Sequence, residues 1–524
     1  MSKIRFMNAI VIDGSGSAGF AADVYIDDDI ITDVVPQPTL LPVRDGYQAI
    51  ECAGKVLCPG FIDIHTHSDF NVLIFPGMES SLSQGVTSEV FGNCGIAIGL
   101  ATPAEDFKLE RRALDRYGVK LDWTDLSSFL TRVADNGTAL NVASLAGHGT
   151  LRKRVMGTAN RAPDVAELSQ MCRDAEASMA AGAIGLSSGL EYIPGAYASI
   201  DELSAIAKVV AAAGGFYATH LRDEGDHLEA AVEEAISVAA NAGISLQLSH
   251  HKAELRRNWT AVRRTLARVT EAQASGMDIH IDQYPYTAYQ TSLQTIVLPR
   301  WANAADSEAL AELINTPGNR ERIHVEMSHH DWSRIKIATC ATHPDYIGMS
   351  LETLAANTGQ HPQDFVLDLL ATPGPWISAV HHAMSDEDVE YVLQDPRVMI
   401  GSDSVATDIT HHGSSEQPHP RTFGTFARIL GHYVREKKLI GLEEAIRKMT
   451  SLPASRLGWH NRGRIGAGFK ADIVLLDPET VGSPATFEQP RQRATGVSQV
   501  WVNGTLAHDG GRPTGSRSGQ VYRK

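Results

Sequence analysis

The stretch GFIDIHTHSD, residues 60–69, is the segment from which the fold can be worked out. It is an apolar run that closes on two histidines, His65 and His67. Side chains alternate between faces in a β-strand, so a strand through this motif points Asp63, His65 and His67 the same way. Polar groups on a buried face need partners. The motif alone leaves two interpretations open, a core strand that carries histidines by accident and the first part of a metal site.

Seven further apolar segments resemble this one, because each closes on polar residues or glycine. The eight segments are LCPGFIDIHTH (57–67), GVTSEVFGNCG (85–95), ALNVASLAGHG (139–149), GAIGLSSGLEY (182–192), GGFYATH (214–220), GISLQLSH (243–250), GMDIHIDQYPY (276–286) and PRVMIGSDS (396–404). Most intervening stretches are rich in alanine and charge at helical spacing and end at glycine, a common helix stop. Alternating strand and helix predicts an α/β fold with a parallel sheet. Eight repeats fit a (β/α)8 TIM-type barrel better than an open sheet.

Two parts of the chain fall outside this repeat. The seventh and eighth segments are more than 100 residues apart, and we predict an insertion between strands 7 and 8 at about residues 290–349. Segments near both ends alternate polar and apolar residues, and Asn503-Gly504 is a hairpin-turn sequence. We therefore predict that residues 1–57 and 460–524 together form a small β-sandwich and that residues 58–459 form the barrel.

Composition excludes several classes of partner. Of the 524 residues, 43% are hydrophobic and 21% charged, which is ordinary for a globular enzyme. The net charge of −16 argues against nucleic acid and anionic membranes as partners. The start lacks a signal-peptide pattern, no apolar run approaches about 18 residues, and the cysteines are too scattered for a disulfide framework. These features predict a cytoplasmic protein and leave its oligomeric state open.

The ends of the predicted strands carry residues with chemistry in common. In barrels of this type, site residues lie at the C-terminal ends of the strands. The residues found there are His65, His67, Cys94, His220, His250 and Asp403. A single buried cysteine or strand-end histidine is usually a packing residue. All six residues are predicted to lie at one face of the barrel. One thiol and several imidazoles together indicate a zinc site.

The series of motifs resembles the N-acyl-D-amino acid deacylases, or D-aminoacylases, of the amidohydrolase superfamily. The motifs are GFIDIHTHSD, GNCG, SSGLEY, THLRDE, LQLSHHK, DQYPYTA, MIGSDS, HPRTFGTFARILGHYVRE and AIRKMTSLPASRLG. They span nearly the whole chain in the family's order, and GNCG with LSHHK and HPRTFGTF is much more specific than the histidine pair. The resemblance implies hydrolysis of the amide bond of a small molecule, an N-acyl-D-amino acid.

The resemblance also implies a set of metal ligands. Cys94, His220 and His250 would hold one zinc ion tightly. His65 and His67 would form a second, weaker metal position, which Cys94 can bridge. Zinc polarises an amide carbonyl and lowers the pKa of bound water toward about 7, as such a hydrolysis needs.

Four further residues receive roles from the same resemblance. Asp403 would be the general acid/base that takes a proton from water and delivers it to the departing amine. Tyr192, Lys252 and Arg421 would bind the α-carboxylate of the substrate. Arg421 can do so bidentately and Lys252 as a point charge.

Two other functions stay open at this level. Amidohydrolases that cleave cyclic amides, such as hydantoinases and dihydroorotases, commonly bridge two metals with a carboxylated lysine on strand four. The fourth segment, residues 182–192, contains no lysine. A catalytically inactive scaffold homologue is expected to lose ligands, whereas every expected position is filled here. Both observations favour the deacylase.

The segment after the seventh strand bears on the substrate side chain. It contains no cation before Arg300, and Leu293, Ile296 and Val297 are candidates to line an apolar pocket. A buried side-chain carboxylate without a partner is costly, so we predict a neutral, apolar substrate side chain. A loop that folds back and brings in Arg300 would weaken this prediction. The preference for the D-enantiomer rests on the family resemblance alone.

Overall fold

The computed structural model describes residues 3–38, 46–102, 104, 107–304, 306–327, 330–374, 376–410 and 416–524. Its strands are β1 (Lys3–Val11), β2 (Phe20–Asp27), β3 (Ile30–Pro36), β4 (Gln48–Glu51), β5 (Val56–Pro59), β6 (Phe61–Asp63), β7 (Val86–Phe91), β8 (Asn141–Ser144), β9 (Ala146–Gly147), β10 (Gly185–Gly189), β11 (Phe216–His220), β12 (Ser245–Leu248), β13 (Ile279–Gln283), β14 (Tyr289–Ser292), β15 (Ile335–Thr339), β16 (Ser378–His381), β17 (Val398–Ile400), β18 (Ile473–Leu476), β19 (Val497–Val502), β20 (Thr505–Asp509) and β21 (Arg512–Pro513).

The helices alternate with the central strands. They are α1 (Glu79–Leu82), α2 (Lys108–Asp115), α3 (Leu126–Asn136), α4 (His148–Met156), α5 (Val165–Ala180), α6 (Ile200–Ala212), α7 (Leu228–Ala242), α8 (Ala261–Ala274), α9 (Leu293–Val297), α10 (Ser307–Asn315), α11 (Asn319–Glu326), α12 (Leu351–Thr358), α13 (Pro362–Leu370), α14 (Asp386–Gln394), α15 (Arg421–Arg428), α16 (Leu442–Met449) and α17 (Ser451–Leu457). A π-helical segment, Ile429–Glu436, continues α15. Among the described helices, none is both long and apolar enough to cross a membrane.

Local sequence explains where these helices begin and end. In α5 the side chain of Asp164 accepts the amide of Glu167 and the side chain of Glu167 accepts the amide of Asp164, which is a capping box. Gly243 adopts the left-handed conformation just after α7. The glycine ends α7, and the chain enters the parallel strand β12 two residues later.

A closed ring of parallel strands lies at the centre of the molecule. β6, β7 and β8 pair in one sheet, and β9 to β13 and β17 pair in another. β8 and β9 follow one another and count as one barrel strand, because one pairs with β7 and the other with β10. The ring closes where Thr66 bridges Ser404. Beside it the amide of Asp403 donates to the carbonyl of His65, at 2.8 Å. The eight strands confirm the predicted (β/α)8 barrel.

Strands from both ends of the chain join in one nine-stranded sheet beside the barrel. Its order is β21-β20-β19-β18-β5-β1-β2-β3, with β4 on β1. β18 from the C-terminal part lies antiparallel to β5 from the N-terminal part. The predicted hairpin turn at Asn503 and Gly504 joins β19 to β20, and both residues have positive φ, 48° and 72°. The limits 1–57 and 460–524 stay a prediction.

A third unit lies between the last two barrel strands. β14, β16 and β15 form an antiparallel sheet with a hydrophobic core of its own, in which Leu293 packs with Ile337 and Phe365. This sheet runs from Tyr289 to His381, well past the predicted limit of about residue 349. The sequence pattern missed the later half because α12, α13 and β16 are indistinguishable from barrel elements until their packing is known. The exact limits of the insertion stay a prediction.

Candidate metal centre

The six chemistry-bearing residues meet at the C-terminal end of the barrel. His220 is the last residue of β11, and the others follow the ends of their strands by a few residues. One group of ligand atoms joins His65, His67, Cys94 and Asp403, and a second joins Cys94, His220 and His250. Within each group the ligand atoms lie within 4.8 Å of one another. Cys94 belongs to both groups and so occupies the bridging position.

Buried carboxylates hold two of the histidines. His65 Nε2 lies 3.3 Å from Cys94 Sγ, while its Nδ1 lies 3.0 Å from Asp282 Oδ1. His250 Nε2 lies 3.5 Å from the same sulfur, while its Nδ1 lies 3.1 Å from Glu224 Oε1. On His65 the carboxylate fixes the tautomer and leaves Nε2 free to bind a metal. On His250 the Lys252 ammonium also lies 2.9 Å from Nδ1, so Glu224 and Lys252 together hold the ring orientation. Both Nε2 atoms face the sulfur, in the orientation that a metal ligand needs.

Asp282 and Glu224 were missed by the sequence reasoning. Asp282 lies in β13 and also accepts the backbone amide of His250, at 2.7 Å. Glu224 stands four residues after His220 in the THLRDE motif. Their sequence signal is position, because Asp282 lies one residue before the end of β13 and Glu224 four residues after the end of β11. Nothing in the sequence says which histidine each of them meets.

Three of the site residues adopt a rare backbone conformation. The φ angles are 51° at Cys94, 34° at His250 and 51° at Asp403. Non-glycine residues in this left-handed region are uncommon, and such strain concentrates at functional sites. Gly189 permits the turn at Cys94, because a Cβ there would lie 2.0 Å from the Cys94 carbonyl oxygen.

The surroundings of Cys94 and Asp403 lower the pKa of each of these two groups. Burial alone would raise the pKa of Cys94, but His65, His220 and His250 around it bring the pKa well below its ordinary value. Burial would likewise raise the pKa of Asp403, and the Arg421 guanidinium, 2.7 Å away, leads the interactions that hold it well below the usual range. Both groups are therefore anionic, which is the form that binds a metal or accepts a proton.

The three predicted carboxylate-binding residues all lie at the same end of the barrel, but two are already paired. Lys252, four residues after the end of β12, contacts both Glu224 and His250 Nδ1, the latter at 2.9 Å. Arg421 pairs with Asp403. Tyr192 places its hydroxyl 3.4 Å from that of Thr291. Their role in substrate binding stays a prediction.

The residues expected to line an apolar pocket are core residues instead. Leu293, Ile296 and Val297 are buried and pack inside the separate core of the small sheet. Arg300 lies at the surface, with its Nη2 2.8 Å from Asp223 Oδ2. It is thus neutralised by another residue and does not fold back as a free cation.

The donor set fits zinc. A buried thiolate and imidazole nitrogens are the ligands that zinc prefers, and carboxylates orient two of the histidines from behind. A site for calcium or magnesium would present mainly oxygen atoms. The arrangement therefore supports zinc on grounds that are independent of any relative.

Comparisons with known proteins agree with this geometry. A model of the amidohydrolase family matches residues 48–324 and 395–508. A D-aminoacylase of Alcaligenes xylosoxydans xylosoxydans is 35% identical over 517 residues, which cover 98% of this chain and 96% of that protein. The crystal structure of the N-acyl-D-glutamate deacylase from Bordetella bronchiseptica, complexed with zinc and a phosphonate inhibitor, has a TM-score of 0.83 at 32% identity, covering 99% of both chains.

A more distant structure shares the fold alone. The dihydropyrimidinase from Brevibacillus agri has a TM-score of 0.56 at 14% identity and covers 98% of that chain and 100% of this one. It says nothing about the reaction. With the family model and a full-length relative both in agreement, this chain belongs to the amidohydrolase family and, within it, to the N-acyl-D-amino acid deacylases.

Proposed function

We propose that the protein hydrolyses N-acyl-D-amino acids in a zinc-dependent reaction that yields a carboxylate and a free D-amino acid. The observation that carries the proposal is the position of Cys94, which belongs to both ligand groups, with Asp403 in one of them. β10 offers no lysine for the carboxylated bridge of cyclic-amide hydrolases, which argues against that alternative. The filled ligand set argues against an inactive homologue. A cytoplasmic location stays a prediction.

The ligands divide into two positions. Cys94, His220 and His250 would hold the tightly bound zinc, and His65 and His67 would complete a second, weaker position. When bound, zinc supplies a Lewis acid that polarises the amide carbonyl and makes water more acidic.

Asp403 moves the proton in both halves of the reaction. Its Oδ1 lies 3.2 Å from His67 Nε2, beside the ligand groups. As the water oxygen bonds to the amide carbon, Asp403 receives the proton. It then donates that proton to the amide nitrogen as the carbon–nitrogen bond breaks, so the amine leaves in its neutral form.

The charges around the site oppose an acidic substrate side chain. Arg300, the first cation after the seventh strand, is bound to Asp223. Glu191 lies nearby, with its carboxylate 3.0 Å from His220 Nε2. Burial, Glu224 and Glu191 raise the pKa of the neighbouring Glu254 to about 8, so these surroundings already oppose one further negative charge. A second carboxylate on the substrate would meet like charge and no free cation among these residues. We therefore infer a neutral substrate side chain.

A substrate panel tests the proposal on zinc-loaded protein. We expect kcat/KM for N-acetyl-D-leucine or N-acetyl-D-methionine to exceed that for N-acetyl-D-glutamate and N-acetyl-L-leucine. A higher value for the D-glutamate derivative would refute the side-chain inference alone. A higher value for the L-enantiomer, or hydrolysis of a hydantoin instead, would refute the function.

A further inference from the structure

His419 is a buried histidine for which the reaction above has no use. It stands in the HPRTFGTF motif, two residues before Arg421, and is 1% exposed. Its Nδ1 lies 3.0 Å from the backbone amide of Arg421, the first residue of α15. Its Nε2 lies 2.9 Å from the carbonyl oxygen of Ala288. Both ring nitrogens are therefore used, and each has a backbone partner.

These two partners fix the tautomer of the ring. A backbone amide can only donate, so Nδ1 of His419 must accept and carries no proton. A carbonyl oxygen can only accept, so Nε2 must carry the proton and donate it to Ala288. Burial and the nearby Arg421 keep the pKa of His419 well below its ordinary value, in accord with a neutral ring. The imidazole thus acts as a rigid connector between two backbone groups.

The connector joins the barrel to the small sheet. Ala288 immediately precedes β14, and the backbone amide of His419 donates to Gln290 Oε1 in that strand, at 2.8 Å. Tyr286 and Phe487 pack perpendicular to the ring, with centroids 5.1 and 4.9 Å away. The ring is therefore held on its sides as well as at both nitrogens.

Arg421 takes its position from this arrangement. Its backbone is bound by His419, its guanidinium carbon lies 5.0 Å from the centre of the Tyr284 ring, and its Nη1 lies 2.7 Å from Asp403 Oδ2. A rotation at the start of α15 would move the guanidinium away from Asp403. We propose that His419 is the positioning residue that aims Arg421 at Asp403 and at the α-carboxylate of the substrate.

This inference rests on the proposed function for the substrate that Arg421 meets. It goes beyond that function because it assigns the alignment to a residue that touches neither metal ligands nor substrate. It also explains why the histidine belongs to the same motif as the arginine. A phenylalanine would satisfy the ring contacts but not the two hydrogen bonds.

Two variants separate the hydrogen bonds from the packing. His419→Phe keeps an aromatic ring against Tyr286 and Phe487 but has no nitrogen. His419→Asn loses the ring but keeps an oxygen that can accept the amide two residues ahead, as asparagine does in an Asx turn. His508→Phe, at a buried histidine in β20, is the matched control for replacing a buried imidazole.

The readout compares N-acetyl-D-leucine with N-acetyl-D-leucinamide, which lacks the carboxylate and is used as a substrate or, if uncleaved, as a competitive inhibitor. Since misplacing a positioned group by about 1 Å can cost roughly 100-fold, we expect His419→Phe to lower kcat/KM for the acid by about that factor. The preference for the acid over the amide should fall with it. His419→Asn should recover most of the loss, and His508→Phe should behave as wild type.

Equal losses for acid and amide, or wild-type kinetics in His419→Phe, would overturn the inference. Wild-type protein that hydrolyses neither N-acyl-D-amino acid would instead overturn the proposed function. In that case a crystal structure of His419→Phe still tests the positioning role. An Arg421 guanidinium that stays 2.7 Å from Asp403 would contradict it, and a displaced one would support it.

Discussion

The proton-transfer role proposed for Asp403 can be tested separately from metal binding. The Asp403 carboxylate contacts His67 and Arg421, so the isosteric Asp403→Asn keeps the shape and removes only the charge and the basicity. General acid–base groups contribute about 10²–10⁴-fold, and one that moves the proton twice should reach at least the lower figure in kcat. We expect normal folding and retention of the tightly bound zinc by elemental analysis. A variant with more than about a tenth of wild-type kcat would remove Asp403 from the mechanism.

Replacement of Cys94 should remove the metal as well as the activity. This residue belongs to both ligand groups, so Cys94→Ala should lose bound zinc together with nearly all activity. The measurement is zinc content after gel filtration, alongside kcat. Cys58, a fully buried cysteine in β5, provides the matched control, and Cys58→Ala should keep its zinc. Full zinc occupancy in Cys94→Ala would contradict the ligand assignment.

At the scale of elements, the sequence predicted the strands well and their ends poorly. Alternation and helix stops are local signals, so all eight barrel strands could be located. β6 nevertheless ends at Asp63, because the Asp63 carboxylate accepts the amides of His65 and Ser402. The partnership of Asp282 with His65 spans 217 residues of chain. No periodic pattern encodes a contact of that range, which is why the orienting carboxylates were missed.

β20 contains a histidine that should make the protein sensitive to acid. His508 is 1% exposed, and within the described residues neither ring nitrogen has a hydrogen-bond partner. Burial lowers its pKa to about 4. From about pH 6.5 down to about 4 the unfolded chain therefore binds a proton that the folded chain does not, so stability falls as pH falls.

His508→Leu should remove this contribution. The free energy of unfolding of the variant minus that of wild type should be about 2 kcal/mol larger at pH 5 than at pH 7.5, because only wild type loses the contribution of His508. Urea denaturation at the two pH values measures the difference. His460→Leu, at an exposed histidine, serves as the control and should show no comparable gain. A difference between wild type and His508→Leu that is the same at both pH values would refute the argument.

At the scale of the whole molecule, the two ends of the barrel have different tasks. The ligand groups gather where the strands end, whereas the last residues of the chain cross the opposite, N-terminal end. There Val521 bridges Val142, and the amide of Tyr522 donates to the Val142 carbonyl, at 2.7 Å. Activity should therefore depend on residues at the C-terminal end of the strands and stability on residues at the opposite end, as is general for barrels of this kind.

Tyr522 tests this division. Its ring stacks on Trp459 at 4.3 Å, its hydroxyl accepts from Arg462 Nε at 3.1 Å, and it packs on the cluster that contains Met399 and Leu145. Tyr522 is partly buried, so Tyr522→Ala removes the stacking and uncovers part of this cluster, and we expect a loss of about 1–2 kcal/mol in the free energy of unfolding. Tyr522→Phe loses only the hydrogen bond, about 1 kcal/mol. Because the ring lies at the end of the barrel opposite the ligand groups, kcat/KM below the unfolding transition should match wild type in both variants. Reduced kcat/KM with unchanged stability would show that the two ends are coupled and that the separation of tasks is wrong.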